Sequence, residues 1–260
     1  ATPGCPPVPP YASGRISNGT LYVETVAGRY GAAVTPSTRG GNNFAYAGAR
    51  TGAIPGLTTQ STTPSMLAQV QSFIDRPNST AQSNPQTLFV VEAGGAYFNN
   101  FSAGLPLIQA GTITTTQFVT AAVTDVVTVM TRLYAAGARN MLLINSPNLG
   151  GTPGVQALGA AAAGAGTQLA AGFNQALAGQ VALLVANSPG LKVYTLDAFA
   201  LFNEVQGNPA GFGLTNATAP CVTTTVCATP DTYMFWDSVH PTRAMGAIVA
   251  TRIGTLLPSP

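Results

Sequence analysis

The run Thr87-Leu-Phe-Val-Val-Glu-Ala93, followed at once by Gly94-Gly95, decides the fold class. A short apolar run that lacks strict alternation and stops at glycine reads as a strand buried on both faces. The next clear element is Thr116–Ala136. There Phe118, Ala122, Val126, Val129 and Leu133 step by four, four, three and four residues, one apolar helical stripe, and Gly137 marks its end. Asn140-Met-Leu-Leu-Ile-Asn145 then repeats the buried-strand pattern and closes at Ser146-Pro147. A strand, a long helix and a second strand make a parallel crossover, because parallel strands cannot be joined by a tight turn.

The alternation continues outward. Val155–Ala186 is Ala-rich and helical, Leu191-Lys-Val-Tyr-Thr-Leu196 is a third strand leading to Asp197 and a short helix, and Pro241–Leu257 is a closing helix with proline in its first turn. Toward the N-terminus, Pro64–Asp75 places Met66, Val70, Phe73 and Ile74 on one helical face. Asn43-Phe-Ala-Tyr-Ala47 is a short strand candidate, Asn18–Tyr30 a first helix, and residues 1–15 an extended loop. This order predicts an α/β fold with a mostly parallel sheet, helices on both faces and a single domain over 1–260. In such sheets the site lies beyond the carboxyl ends of the strands, here Gly48, Gly94-Gly95, Asn145-Ser146 and Asp197.

Composition excludes several classes. Of 260 residues, Lys and Arg number 10 and Asp and Glu 8, a net charge of +2 with 7% charged residues. A nucleic-acid binder needs a basic patch, and Lys192 is the only lysine. The apolar fraction of 46% is that of a globular chain. No uninterrupted apolar run approaches the ~18 residues of a membrane helix, so no transmembrane segment is expected. The chain opens Ala1-Thr-Pro-Gly-Cys5 without a starting Met, which reads as a processed or cut start.

The three cysteines are Cys5, Cys221 and Cys227. The last two close a small Thr-rich loop suited to a local disulfide, which implies an oxidising compartment and hence secretion. Their spacing is not that of a metal site, and no metal is expected there. Cys5 is left over and points to a partner outside the chain. Asn-x-Ser/Thr occurs at Asn18, Asn78, Asn100 and Asn216, about as often as chance gives.

The chemistry-bearing motif is Phe235-Trp-Asp-Ser-Val-His-Pro-Thr242, which holds the only histidine, His240. An Asp three residues before a His in a turn can set its carboxylate on the imidazole Nδ1–H. That leaves Nε2 as a general base for a serine. The bland alternative is that Asp237 caps the following helix.

At these residues the chain resembles the SGNH, or GDSL-type, esterases and lipases. The 235–242 block is similar to that family's last block, where the Asp and His of the triad lie together. Gly14-Arg-Ile-Ser-Asn-Gly-Thr-Leu-Tyr-Val-Glu24 resembles the stretch after the nucleophile. Gly41-Asn-Asn-Phe-Ala-Tyr-Ala-Gly-Ala-Arg-Thr51 resembles the block whose glycine gives a backbone N–H to the oxyanion, here Gly48. Asn145-Ser-Pro-Asn-Leu-Gly150 resembles the loop after the family's fourth strand. The resemblance spans nearly the whole chain, in order. It implies a three-layer SGNH-hydrolase-like sandwich, a small-molecule or lipid ester as substrate, and catalysis by His240 and Asp237 with no metal or organic cofactor.

Two departures stand beside it. The Gly-Asp-Ser-Leu nucleophile block is absent from the 260 residues. Ser13 follows a proline run that cannot form a central strand, and Ser238 sits between the residues meant to activate a serine. The first central strand is therefore expected to be missing, leaving the strands near Phe44 and Val90 to flank an unfilled slot, with Cys5 free to bridge to a separate N-terminal segment. Second, where the family has Gly-x-Asn-Asp, this chain has Glu92-Ala-Gly-Gly-Ala-Tyr97, so Ala96 takes the Asn place and Tyr97 the Asp place. Asn99 or Asn100 compensates as an oxyanion donor if the loop bulges; otherwise they are surface polar residues. Tyr97, Phe98 and Phe101 either line an acyl pocket or belong to the core. Glu92 either pairs with an arginine or sits at an edge, Arg50 forms a structural ion pair or serves a helix end, and Asp197 caps a helix. Two functions follow: a secreted ester hydrolase whose serine lies outside the chain, so that the chain alone is inactive or weak, or a fold-bearing pseudoenzyme for binding or storage.

Overall fold

The computed structural model describes residues 6–76, 84 and 86–259. Asn78 and Cys5, with its expected link to another segment, lie outside the described residues. The fold is mixed α/β with parallel sheets, consistent with the SGNH-hydrolase fold. The chain falls into two compact units, Pro36–Pro147 with Gln168–Phe199, and Ala1–Thr35 with Asn148–Thr167 and Ala200–Pro260.

The first of these holds the sheet. Strands β1 (Leu88–Glu92), β2 (Asn140–Ile144) and β3 (Lys192–Leu196) run parallel in that order, with Leu88 opposite Asn140 and Asn140 opposite Lys192. Met141, Leu142, Leu143 and Ile144 are buried, as the continuous apolar run requires of a central strand. Among the described residues β1 has β2 as its only strand neighbour, and Val90 is 37% exposed.

The expected strand at 43–47 does not form. Asn43 makes one isolated bridge with Pro36, while Arg76 donates to the Gly41 and Ser37 carbonyls and its guanidinium stacks 4.6 Å over the Phe44 ring. Within the segment the Asn43 carbonyl accepts the Ser37 N–H and the Ala45 N–H goes to Asn43 Oδ1, so local bonds replace a ladder, and Phe44 packs on Phe73.

Helix α1 (Tyr22–Arg29) belongs to the other unit, described below. Helix α2 (Met66–Ile74) begins at Ser65, whose side chain accepts from the Ala68 N–H. Helix α3 (Gly94–Gln109) was not foreseen: two opening glycines and Pro106 disguise it, although Tyr97, Phe101 and Leu105 recur every four residues and are all buried. Gly94 is required at its start, since a Cβ there would lie 2.6 Å from the Asn145 carbonyl oxygen. Helix α4 (Thr115–Ala135) opens on a reciprocal cap: Thr114 Oγ1 accepts from the Gln117 N–H and Gln117 Oε1 accepts from the Thr114 N–H. Its predicted stripe, Phe118 to Leu133, is buried.

The second unit contains α1, α5 (Pro153–Gln156), the start of α6 (Ala160–Ala186), most of α7 (Ala198–Gly207), and α8 (Arg243–Leu256). The single helix expected over Val155–Ala186 is two, parted at Gly159, whose φ of +97° only glycine adopts freely. Two short strands that sequence reading missed, β4 (Asn216–Pro220) and β5 (Tyr233–Phe235), pair in parallel. Helix α1 packs on α8.

By length and composition α4 and α6 are each apolar enough to cross a membrane, contrary to the reading by uninterrupted runs, because Thr, Gln and Gly break the runs while α6 carries no charge and α4 only Asp125 and Arg132. The apolar stripe of α4 is nonetheless inside its unit, where the helix packs on α2 and α3.

Candidate active site

Asp237 and His240 sit on a tight loop just after β5. The loop closes on itself: Trp236 N–H donates to the His240 carbonyl (2.7 Å) and Thr242 N–H to the Met234 carbonyl (3.0 Å). Within it Asp237 Oδ1 accepts from the Val239 N–H (2.9 Å) and the His240 N–H (2.7 Å), a turn that short acidic side chains make with their own following backbone. The turn brings the imidazole over the carboxylate, with Nδ1 at 2.9 Å from Oδ1 and 2.8 Å from Oδ2. The carboxylate has 16% exposure and the imidazole 43%, so the outer edge of the ring faces solvent. Burial raises the proton affinity of Asp237, but the His240 ring and the two backbone N–H groups outweigh it and bring its pKa down to about 2.

The surroundings hold this loop on several sides. Tyr11 donates its phenol O–H to Asp237 Oδ2 (2.9 Å), and its ring meets Trp236 edge-on at 6.1 Å. Ser17 Oγ donates to the Pro241 carbonyl (2.9 Å), and Asn18 Oδ1 accepts the Arg243 N–H at the start of α8 (2.7 Å). Gly154 N–H donates to the Ser238 carbonyl (2.8 Å). The Cys221–Cys227 disulfide is formed, and its loop reaches the site through Val222 N–H on the Trp236 carbonyl (2.7 Å). Tyr11 was not found from sequence, and no spacing rule links residues 226 positions apart.

No hydroxyl is hydrogen-bonded to the His240 ring among the described residues. Ser13 and Ser238 are exposed, and neither side chain bonds to the ring. No group of three or more His, Cys, Asp or Glu side chains gathers among the described residues to hold a metal ion.

Gly48 lies in the other unit. It is exposed, has φ of +76°, and its N–H has no backbone acceptor among the described residues. The residues after it are clamped by α3. Asn99 Nδ2 donates to the Ala49 carbonyl (2.8 Å), Asn100 Oδ1 accepts the Thr51 N–H (3.1 Å), and Asn100 Nδ2 donates to Thr51 Oγ1 (2.7 Å). Thr51 Oγ1 passes the chain on to Asp125 (2.9 Å), whose carboxyl burial pushes up in pKa. Asn100 is 3% exposed, so it is a buried brace rather than a surface residue. Tyr97 is fully buried, stacked on Phe173 at 3.9 Å with its O–H on the Leu169 carbonyl; it belongs to the core. Glu92 pairs with no arginine among the described residues: its carboxylate accepts the Gly95 N–H (2.9 Å) at the start of α3, and burial raises its pKa. Arg50 likewise makes no ion pair among the described residues, and its Nη1 is buried without a partner. Asn145 Nδ2 contacts Asp197 (3.3 Å), and Asn145 Oδ1 takes the Ala198 N–H (2.7 Å) at the start of α7, the cap expected of Asp197.

Comparison with known proteins agrees with the sequence resemblance. The model of the GDSL-like lipase/acylhydrolase family matches residues 8–253. A GDSL esterase/lipase of Arabidopsis thaliana is 27% identical over 269 residues, covering 96% of this chain and 66% of that protein. A second is 29% identical over 270 residues, covering 93% and 77%. The GDSL esterase/lipase APG of the same plant is 30% identical over 145 residues, covering 48% and 41%. With a family match over nearly its whole length, the chain belongs to the GDSL-like lipase/acylhydrolase family.

Proposed function

We propose that this chain carries the acid–base half of a secreted carboxylic-ester hydrolase, acting on a small-molecule or lipid ester through a serine supplied from outside these 260 residues. The observation that carries the proposal is the contact of the Asp237 carboxylate with His240 Nδ1 while the outer edge of the ring faces solvent. A carboxylate on Nδ1–H fixes the tautomer in which Nε2 is the base. In the reaction His240 Nε2 takes the serine hydroxyl proton as the oxygen attacks the ester carbonyl. His240 then returns that proton to the leaving alcohol. A water molecule, deprotonated by the same nitrogen, hydrolyses the acyl-serine and restores the serine. Gly48 is proposed, from its place in the family motif and its unaccepted N–H, to donate to the oxyanion with the serine's own N–H. Asp237, as a near-permanent anion, stabilises the imidazolium in each step. Secretion rests on the disulfide.

A second reading, a pseudoenzyme that binds or stores without turnover, is favoured by one observation. Ala96 stands where the family has its side-chain oxyanion donor, and this buried residue of α3 has no side-chain donor to offer. Removing one such donor typically costs ~10²–10³ in rate. Hydrolysis of p-nitrophenyl acyl esters by the natively isolated protein separates the two. The hydrolase reading expects turnover that His240→Ala abolishes; the same slow rate in both proteins would support the pseudoenzyme.

A further inference from the structure

Asp237 Oδ1 and Oδ2 are held unequally. Oδ1 has two backbone donors, the N–H groups of Val239 and His240, besides the imidazole. Among the described residues Oδ2 has the imidazole and a single further donor, the Tyr11 phenol at 2.9 Å. An ionised carboxylate has about four acceptor positions, and a buried one left short of donors is costly. Without Tyr11, the oxygen closer to Nδ1 would have the imidazole as its only partner. We infer that Tyr11 is a positioning residue of the Asp237–His240 pair, its O–H fixing the plane of the carboxylate against the imidazole; this rests on the reading of that pair as the acid–base half of the site.

The segment around Tyr11 is built for the task. Its backbone is set by Tyr11 N–H on the Pro7 carbonyl (3.2 Å) and Ala12 N–H on the Ser17 carbonyl (2.8 Å). Ser17 in turn bonds the residue after His240, and the Tyr11 ring packs edge-on against the residue before Asp237. One short segment therefore brackets the catalytic loop at both ends. Burial, with the hydrogen bond and charge of Asp237, pushes the phenol pKa up to about 12, so the group is a donor throughout the neutral range. Phenylalanine would keep the ring against Trp236 and remove only the O–H.

The 260 residues hold one histidine and one tryptophan, so within them each spectroscopic signal has a single source. Wild type and Tyr11→Phe, isolated natively, are compared by the His240 Nδ1–H proton resonance, by Trp236 emission and by the rate of labelling with a fluorophosphonate. The expected result is unchanged emission and a His240 Nδ1–H resonance moved further downfield, because a carboxylate with one donor fewer is the stronger acceptor. Labelling should slow about tenfold, the usual weight of a hydrogen bond to a charged group. A His240 resonance that coincides with wild type in a folded variant overturns the inference. If Tyr11→Phe does not fold, Asp237→Asn supplies the reverse measurement. The Tyr11 Cζ resonance should move upfield when its carboxylate acceptor is removed, and an unmoved Cζ overturns the inference. Failures are separable. No labelling of wild type, with the His240 resonance still moved by Tyr11→Phe, removes the hydrolase reading and upholds the Tyr11 contact. Equal labelling in both proteins with an unmoved ring removes the role of Tyr11 alone.

Discussion

Replacing Asp237 by asparagine should remove a defined, acid-sensitive part of the protein's stability. In the native loop the carboxyl falls from the ordinary aspartate value of 3.8 to about 2. At about 1.4 kcal/mol for each tenfold change in proton affinity, the ionised group stabilises the fold by about 2 kcal/mol. The folded value is the depressed one, so this contribution is complete above the unfolded value near 4 and is lost as the pH falls toward 2. Asparagine keeps an oxygen for the Val239 and His240 N–H groups but presents an amide to the ring, which favours the wrong tautomer. Denaturant unfolding followed by Trp236 emission, at steps from pH 6 to pH 2, measures the difference between the two proteins. The expected difference is about 2 kcal/mol above pH 4, shrinking toward zero by pH 2. Glu24 and Asp231, whose values are also lowered by their arginine partners, titrate in both proteins and cancel. Two stability curves that run parallel from pH 6 to pH 2 would refute the reasoning.

Three further outcomes are expected. Glu92→Gln should raise thermal stability at neutral pH, read as a higher melting temperature, because burial raises the pKa of the native carboxyl and its ionisation above the unfolded value works against the fold; the gain should vanish as the pH falls below the unfolded value. Asn100→Ala should cost ~1–3 kcal/mol in denaturant unfolding, since it leaves the buried Thr51 N–H without an acceptor. Replacing Cys221 and Cys227 by serine should cost ~2 kcal/mol through the restored freedom of a short loop, read as a lower melting temperature that the wild type shows only under reductant.

The parts of the fold legible in the sequence were those with a strong local period. The buried runs at β1, β2 and β3 and the stripe of α4 fall within a residue or two of their predicted limits. Helix α3 was hidden because its period is carried by only three large side chains between Gly94-Gly95 and Pro106. Strands β4 and β5 were invisible for a different reason: Asn216-Ala-Thr-Ala-Pro220 offers only two alanines on its apolar face, and Tyr233–Phe235 is too short to show a period. The 43–47 segment had the right residues, but local bonds took its polar groups: the Asn43 carbonyl accepts the Ser37 N–H and the Ala45 N–H goes to Asn43 Oδ1. The same division holds at the site. Asp237 and His240, three apart on one turn, could be paired by eye, whereas Tyr11 reaches Asp237 only through tertiary folding. Asn99 and Asn100 drew notice as candidate donors, yet their partners, Ala49 and Thr51, could not be known without α3.

The account turns on whether His240 serves a nucleophile. The intact mass of the natively isolated protein, under non-reducing conditions, before and after a serine-reactive fluorophosphonate, asks this directly. One adduct per molecule, on a serine outside the 26.3 kDa chain and absent in His240→Ala, is the predicted result. No adduct on the wild-type protein would contradict it and leave the pseudoenzyme reading in its place.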